Sequence, residues 1–216
     1  MKAVLFDLDG TLLNTLPDIG AAVNRALARL QLPGHTLEEY RLMIGNGARK
    51  LSERAVGPDH AEMAETLFQE YAAEYAAHSR EETHVYPGIT ELLTKLKENG
   101  YRLAVLSNKD DSDVTSVIAH YFAPGTFELT RGRLPGVPLK PDPASALQLA
   151  SEMKVTPDEV WYIGDTAVDI ETARNAGMRL ICVTWGYRTK KELADAHPER
   201  TADTPQEVLN IILNEN

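Results

Sequence analysis

Short apolar runs that alternate with helical segments after residue 86 constrain the fold of this chain more than any other feature. Each run has the length and apolar character of a strand buried in a sheet. The predicted strands are 102–106, 127–130, 160–163 and 179–184. The predicted helices are 89–99, 111–120, 143–153, 170–176 and 204–213. Strands joined through helices imply right-handed crossovers, so we predict an α/β fold, a Rossmann-like parallel sheet with helices on both faces.

One further predicted strand, Ala3–Phe6, ends abruptly at two carboxylates, Asp7 and Asp9, with Gly10 directly after them. Ligands of open α/β sheets collect at the carboxyl ends of the strands, so we expect chemistry at this point. An Asp-Gly pair after a strand is also a common turn, and Asp-x-Asp is short enough to arise by chance. Alone, the motif therefore leaves a structural and a functional reading open.

No strand pattern appears between residues 15 and 83, where the apolar residues follow helical spacing instead. The predicted helices there are 17–30, one that begins after a possible cap at Thr36, 48–56 and 59–79. We interpret this stretch as a small helical cap domain inserted after the first strand. The predicted division is therefore a core of residues 1–14 and 84–216 and a cap of residues 15–83.

The composition is that of a soluble globular protein, with 216 residues, 43% hydrophobic and 25% charged. A net charge of −10 argues against a nucleic-acid surface and against binding to anionic membranes. No apolar run is long enough to cross a bilayer, and no charged-then-apolar leader precedes the first strand. The single cysteine, Cys182, cannot form an internal disulfide and is expected to be a buried thiol. We therefore expect a cytoplasmic protein.

Three more polar motifs accompany the Asp7-Asp9 pair, and two of them also follow apolar strand-like runs. They are Ser107-Asn108, Lys140-Pro141 and the segment from Gly164 to Asp169. Four such motifs in this order are hard to obtain by chance. Together they resemble those of the haloacid-dehalogenase-like phosphohydrolases, and the resemblance covers essentially all 216 residues. A glycine-asparagine-glycine loop at 45–47 and Tyr187 are similar to features of the phosphoglycolate phosphatase branch.

The resemblance implies a role for each acidic residue. Asp7 would be the nucleophile that forms an aspartyl-phosphate, and Asp9 would protonate the leaving group and then activate water. A Mg²⁺ ion would be bound by Asp7, Asp165 and the backbone carbonyl oxygen of Asp9, because hard cations prefer oxygen ligands. Asp169 would support the metal site or orient Lys140. Read structurally, Asp165 could instead be a helix N-cap, which would not explain Asp169 as well.

The resemblance also implies contacts to the substrate. Ser107 would offer a hydroxyl and neighbouring N–H groups to the phosphoryl oxygens, and Lys140 would supply a fixed positive charge. The other expected substrate contacts are Thr11, Asn108 and, in the insert, Asn46, Gly47 and Arg49. Arg49 could bind a small carboxylate in bidentate fashion, although a single surface arginine is more often solvated. Ser107 could equally be a turn residue, and a lysine before proline usually lies in a solvated loop.

These implications favour a Mg²⁺-dependent phosphatase that acts on a small phosphorylated metabolite, most like 2-phosphoglycolate. A pyrophosphatase, a nucleotidase or a sugar-phosphate phosphatase or mutase of the same superfamily remains open, as does a non-catalytic regulatory binding protein. The chain departs from common family patterns at Asn14, at Ser107 and in the segment 126–139, which contains Arg131 and Arg133. The expected partner is the metabolite alone, with no nucleic acid and no membrane, in a monomer or homodimer.

Overall fold

A computed structural model of the chain describes residues 2–215 and contains a six-stranded parallel sheet in the order β5-β4-β1-β6-β7-β8. The strands of this sheet are β1 (Ala3–Phe6), β4 (Arg102–Asp110), β5 (Leu129–Arg133), β6 (Val160–Gly164), β7 (Arg179–Val183) and β8 (Thr201–Ala202). Helices connect most of these strands, as crossovers between parallel strands require. The predicted fold class is confirmed.

Strand β1 lies at the centre of the sheet, between β4 and β6. Its last residue, Phe6, is in register with Val105 of β4 and with Ile163 of β6. All four of its residues are buried, because a central parallel strand is covered on both faces. Because both faces of β1 are buried, its sequence is an unbroken apolar run.

Helices pack on both faces of the sheet, and the strands divide their side chains between two hydrophobic clusters. Alternate residues of β1 point to opposite faces, so Phe6 joins one cluster and Leu5 the other. The helices of this core are α5 (Ile89–Glu98), α6 (Asp111–Tyr121), α7 (Ala144–Glu152), α8 (Ala167–Ala176), α9 (Lys190–Asp195) and α10 (Pro205–Asn214). None of the described helices is both long and apolar enough to cross a bilayer.

Residues between β1 and α5 form a group of helices with a hydrophobic cluster of their own. These helices are α1 (Leu16–Arg29), α2 (Leu37–Met43), α3 (Ala48–Val56) and α4 (Ala64–His78). The predicted cap at Thr36 is present, since its side chain accepts from the Glu39 N–H and the Glu39 carboxylate accepts from the Thr36 N–H. The predicted single helix 59–79 is wrong at its start: Pro58–Met63 is a 3-10 helix with non-helical dihedral angles at His60, and α4 begins after it.

Two very short strands join the helical insert to the sheet. Strand β2 (Leu13–Asn14) and strand β3 (His84–Val85) pair in antiparallel fashion, with Leu13 opposite Val85. The entry and exit of the insert therefore run side by side. Neither strand was predicted, since two residues are too few to show a period. The division into a core of 1–14 and 84–216 and a cap of 15–83 stays a prediction.

The end of β4 differs from the sequence expectation in a way that matters for the site. The predicted strand ended at residue 106, but the observed one continues to Asp110, with an irregular register against β5 between Leu106 and Asp110. Residues 107–110 are polar, so a search for apolar runs could not show that the strand continues through them. Ser107, Asn108 and Lys109 therefore extend from a sheet strand rather than from a free loop.

Candidate active site

The predicted site residues meet at the carboxyl edge of the sheet, because β4, β1 and β6 are neighbours and run in the same direction. Asp7 directly follows β1, Ser107 lies near the end of β4, and Asp165 directly follows β6. Lys140 reaches the same edge from the segment before α7, and Asp169 from the first turn of α8. Residues far apart in the sequence thus converge on one small volume.

Three buried aspartates form a cluster suited to a metal ion. One carboxylate oxygen from each of Asp7, Asp165 and Asp169 lies within 4.8 Å of the others. Asp165 and Asp169 have no exposed surface, and Asp7 has 7%. All three offer oxygen ligands, which hard divalent cations prefer.

The Asp165 carboxylate is fixed from several sides. It accepts hydrogen bonds from the Thr11 hydroxyl at 3.0 Å and from the backbone N–H of Tyr187 at 2.8 Å. Gly10 (φ +88°) and Gly186 approach it so closely that a Cβ on either would lie 2.4 Å from its Oδ2 atom. Only glycine allows that approach, so the two glycines and Thr11 shape the cluster. The structure thus places the Thr11 hydroxyl on Asp165, whereas the sequence predicted a contact to substrate.

Lys140 is buried between two of these aspartates and is only 6% exposed. Its Nζ atom lies 2.9 Å from Asp7 Oδ1 and 2.8 Å from Asp169 Oδ1, and it also donates to the backbone oxygen of Leu106 at 3.3 Å. The three N–H donors of the ammonium group thus have three acceptors. Lys140 is therefore a fixed charge beside Asp7 and not the solvated loop residue that a Lys-Pro pair usually is.

The electrostatics of the aspartate cluster call for more positive charge than Lys140 supplies. Burial raises the pKa of Asp7 well above its usual range, although Lys140 opposes the shift. Burial, followed by repulsion from Asp169, raises the pKa of Asp165 to about 7. A bound divalent cation would reverse both shifts, because it favours the ionised carboxylates. The donor set and its charge therefore fit a hard divalent metal ion.

Asp9 points away from this cluster. Its Oδ1 accepts from the Thr15 hydroxyl at 2.7 Å, and its Oδ2 accepts from Lys109 Nζ at 2.9 Å. The Tyr187 hydroxyl lies 2.9 Å from the Thr15 hydroxyl and accepts from the Thr15 backbone N–H. The two carboxylates of the first motif thus have different surroundings, as a division of roles between them requires. The metal contact by the Asp9 carbonyl stays a prediction.

Asn108 connects the sheet edge to the insert. Its Nδ2 donates to the backbone oxygen of Gly45 at 3.0 Å and to that of Lys140 at 3.1 Å, and its Oδ1 accepts from the Lys140 N–H at 2.9 Å. Ser107 Oγ accepts from the Lys109 N–H at 3.2 Å, which leaves the Ser107 hydroxyl proton available to a ligand. Asn108 therefore holds Lys140 and the 45–47 loop in place.

A cavity of about 60 Å³ lies between these residues and the insert. Asp7, Asp9, Ser107, Asn108 and Lys140 line it on the sheet side. The insert contributes the apolar or glycine residues Ile19, Ile44, Gly45, Gly47, Ala48, Leu51 and Tyr71. The volume admits a few water-sized groups, so the site as it stands suits a small ligand.

Besides Thr11, two of the predicted contact residues do not line this cavity. Arg49 pairs with Glu65 on the outside of the insert, and its guanidinium carbon lies 4.2 Å from the ring centroid of Phe68. The Asn46 side chain accepts from Arg54 Nη2 at 2.9 Å, outside the cavity lining. Gly47, by contrast, lines the cavity, and its contact with substrate stays a prediction.

Arg131 and Arg133 lie on the edge strand β5, away from the aspartate cluster. Arg131 pairs with Glu152 at 3.0 Å, and Arg133 pairs with Asp110. Both guanidinium groups therefore have carboxylate partners on the core. Neither lines the cavity.

Sequence reasoning did not single out Lys109, which is buried, lines the cavity and pairs with Asp9. Its position directly after Ser107-Asn108 was the available signal, but the predicted strand ended too early to use it. Tyr187 was noted only as a feature of a family branch. In the structure its backbone N–H contacts Asp165, and its side chain belongs to the hydrophobic cluster of the insert.

Comparison with known proteins agrees with this geometry. Residues 4–183 match the family model described as haloacid dehalogenase-like hydrolase. The chain is 33% identical to the phosphoglycolate phosphatase of Mannheimia succiniciproducens, over 98% of each protein. It is 38% identical to the phosphoglycolate phosphatase of Cereibacter sphaeroides, over 87% of each protein.

Solved structures give the same result. A predicted phosphoglycolate phosphatase from Haemophilus somnus superposes with a TM-score of 0.90 at 31% identity, over 98% of each chain. The expected resemblance is confirmed by sequence and by fold, and the reading as a non-catalytic binding protein is set aside. The chain belongs to the haloacid dehalogenase-like hydrolases, in their phosphoglycolate phosphatase-like branch, and is a phosphoric monoester hydrolase.

Proposed function

We propose that this protein hydrolyses a small phosphorylated carboxylate, most like 2-phosphoglycolate, in a Mg²⁺-dependent reaction through an aspartyl-phosphate. The observation that carries the proposal is the position of Asp7, which lines a small cavity, pairs with Lys140 and has a carboxylate oxygen within 4.8 Å of those of Asp165 and Asp169. Curated relatives of similar length are phosphoglycolate phosphatases.

In the first step an Asp7 carboxylate oxygen attacks the phosphorus atom, and the bond from phosphorus to the leaving oxygen breaks. Lys140 stands 2.9 Å from Asp7 Oδ1 and offsets the negative charge that gathers as the phosphoryl group approaches. The Ser107 hydroxyl, on β4, donates a hydrogen bond to a phosphoryl oxygen. These groups are fixed before the substrate arrives, so little reorganisation accompanies the reaction.

Asp9 acts as the general acid in the first step and as the general base in the second. Its proton goes to the leaving oxygen in the first step, and the resulting carboxylate takes a proton from the water that attacks phosphorus in the second. The second step breaks the bond between phosphorus and Asp7 and releases inorganic phosphate. The Thr15 hydroxyl and Lys109 hold Asp9 at the cavity wall, apart from the aspartate cluster.

Asp7, Asp165 and Asp169 are the side chains that would hold Mg²⁺ or position its ligands. Bound there, the ion would supply positive charge to the phosphoryl oxygens and allow several buried carboxylates to be ionised together. The proposal agrees with the charge of the cluster, in which Lys140 is the one cation that contacts Asp7 and Asp169 among the described side chains.

The small cavity supports a small substrate over the alternatives of the same superfamily. A nucleotide or a sugar phosphate has more atoms to place in this cavity than 2-phosphoglycolate, so the insert would have to move further to admit it. Among the insert residues that line the cavity, Tyr71 is the one with a side-chain hydroxyl, so the insert offers few donors to sugar hydroxyls. Pyrophosphate is as small as 2-phosphoglycolate, and the substrate panel distinguishes the two. We further propose that the protein acts in the cytoplasm, as a monomer or a homodimer.

A substrate panel tests the proposed function. The kcat/KM values of the purified protein are measured for 2-phosphoglycolate, p-nitrophenyl phosphate, pyrophosphate, a nucleoside monophosphate and a hexose phosphate, each with Mg²⁺ and with a chelator. We expect 2-phosphoglycolate to lead by at least about 10-fold, which is 1.4 kcal/mol of transition-state discrimination. Chelation should abolish turnover of every substrate. A higher kcat/KM on another member of the panel would reject the proposed substrate, and full activity in chelator would reject the metal.

Mg²⁺ should also raise the melting temperature, independently of activity. Binding at about 100 times Kd stabilises the folded state by about 2.7 kcal/mol, which is on the order of 5–10 °C for a chain of this size. Asp165→Asn should lose most of this shift. Asp203→Asn is the matched control, because Asp203 is an exposed partner of Lys190 that belongs neither to the aspartate cluster nor to the cavity lining. An equal Mg²⁺ shift in the wild type and in Asp165→Asn would place the ion elsewhere.

A further inference from the structure

Lys109 is a buried cation whose part in the proposed reaction, as described above, is only to hold Asp9. It lies near the end of β4, directly after Asn108, and is 8% exposed. Together with Lys140 it supplies the positive charge among the described residues that line the cavity. Burying an ammonium group is costly, so its presence at a ligand cavity points to a role there.

The two cavity lysines differ in how many acceptors they have. Lys140 contacts three oxygens, which matches its three donors. Lys109 donates to Asp9 Oδ2 at 2.9 Å, and its other neighbour is Tyr75 in α4, whose ring centroid lies 4.5 Å from Nζ and whose hydroxyl also interacts with the lysine. An ammonium group has three N–H donors, so Lys109 keeps a donor for a ligand acceptor whereas Lys140 does not.

The charge of the cavity wall makes a second cation necessary for an anionic leaving group. Four carboxylates line the cavity, and because Asp110 pairs with Arg133, Asp7, Asp9 and Asp113 face the two lysines. A phosphate ester that also carries a carboxylate would be repelled by this wall unless a cation met the carboxylate. Lys140 and the aspartates that would hold Mg²⁺ lie at the phosphoryl end of the site. Lys109, on the other side of Asp9, is placed to meet the second charge.

The arginines of the insert and of the neighbouring segment after β7 have other partners and do not reach the leaving group as they stand. Arg49 pairs with Glu65 outside the cavity. Arg188, from the segment after β7, donates to the backbone oxygens of Arg41 and Ile44. Arg54 donates to the Met43 backbone oxygen and to Asn46. Arg188 and Arg54 thus fix the conformation of the 43–46 segment. The insert residues that line the cavity are all uncharged.

We propose that the Lys109 ammonium binds the carboxylate of the leaving group and so selects short phosphate esters that carry a second anionic group. This inference rests on the proposed function and assigns its specificity to a core residue rather than to Arg49. The contact with Tyr75 places the bound carboxylate where β4 meets the insert. Lys109 then shares its donors between Asp9 and the substrate while the insert covers both.

A matched pair of substrates isolates the carboxylate. The kcat/KM for 2-phosphoglycolate is divided by that for 2-hydroxyethyl phosphate, which replaces the carboxylate with a hydroxymethyl group. The ratio is measured in wild type, in Lys109→Met and in the control Lys50→Met, whose lysine is exposed on α3 and pairs with Glu53. Both substrates meet the same preparation, so the ratio is independent of how much of a variant is folded. Lys109→Gln, which keeps an N–H donor toward Asp9, gives the same comparison if the Met variant does not accumulate.

We expect Lys109→Met to lower this ratio by about 10- to 100-fold, as expected for loss of a charge-assisted hydrogen bond. Lys50→Met should leave the ratio unchanged. A ratio that is unchanged in Lys109→Met, with both rates lowered together, would overturn the inference: Lys109 would then act only through Asp9, and the proposed function would stand. A wild type that shows no preference for the carboxylate would reject the proposed substrate and the inference with it.

Discussion

Asp7→Asn should lower kcat by at least about 10⁴-fold while the fold survives, because removal of a covalent nucleophile leaves only binding and electrostatic contributions to catalysis. The amide has nearly the volume of the carboxylate, so the packing at the end of β1 is preserved. Its oxygen can still accept from Lys140, whose other carboxylate partner, Asp169, is unchanged. Loss of one of three clustered carboxylates also relieves repulsion, so we expect no large fall in melting temperature.

Steady-state hydrolysis of 2-phosphoglycolate and p-nitrophenyl phosphate measures the loss, and circular dichroism and thermal melts check the fold. Asp203→Asn is the matched control on the surface and should keep full activity. The wild type should form an acid-stable phosphoenzyme that Asp7→Asn lacks. Asp7→Asn protein that retains more than a few per cent of the wild-type kcat would reject the aspartyl-phosphate mechanism.

The core of the site could be predicted because strand ends are visible in a sequence. A buried parallel strand is a continuous apolar run, and it stops where polar residues begin. Asp7 and Asp165 stand at such stops, and the parallel arrangement of β1 and β6 then places them together. Lys140 has no such signal of its own. Only its order among the other motifs identified a lysine whose Nζ proves to lie 2.9 Å from Asp7.

The insert could not be predicted to the same depth, because its part in the site depends on where side chains point across a tertiary interface. Arg49 follows the glycine loop, as predicted, but its helix directs it to Glu65 and Phe68. The sequence has no pattern that distinguishes this orientation from one toward the cavity. A long, flexible arginine side chain can adopt either orientation, and the packing of neighbouring side chains determines which one is populated.

Contacts between the insert and the core could not be predicted from the sequence either. Arg41 of α2 pairs with Glu192 at 2.9 Å and donates to the Tyr187 backbone oxygen, while Asn108 holds Gly45. None of these pairs is close in sequence or placed at a helical spacing. They hold the insert over the cavity, so the environment of Asp9 and Lys109 depends on contacts that only a three-dimensional structure shows.

Asp9→Asn should lower kcat for 2-phosphoglycolate by about 10²–10⁴-fold, the usual contribution of a general acid–base group. The amide keeps an acceptor for Thr15 or Lys109 but can neither protonate an alkoxide nor take a proton from water. An aryl phosphate has a leaving group that departs without a proton, so its first step should suffer less than its second. Phosphoenzyme should therefore accumulate when p-nitrophenyl phosphate is the substrate.

Rapid-quench experiments with Asp9→Asn measure this accumulation directly. We expect a burst of p-nitrophenolate close to one equivalent of enzyme, followed by slow turnover, and a matching amount of trapped phosphoenzyme. Asp113→Asn is a control that also lines the cavity and leaves the Asp9 hydrogen bonds in place, and it should show no such burst. A slow linear release without trapped phosphoenzyme would mean that the first step is impaired as much as the second. An aryl leaving group departs without a proton, so loss of the general acid should spare the first step, whereas the second step still needs an activated water. An impaired first step would therefore mean that Asp9 positions the nucleophile rather than transfers protons.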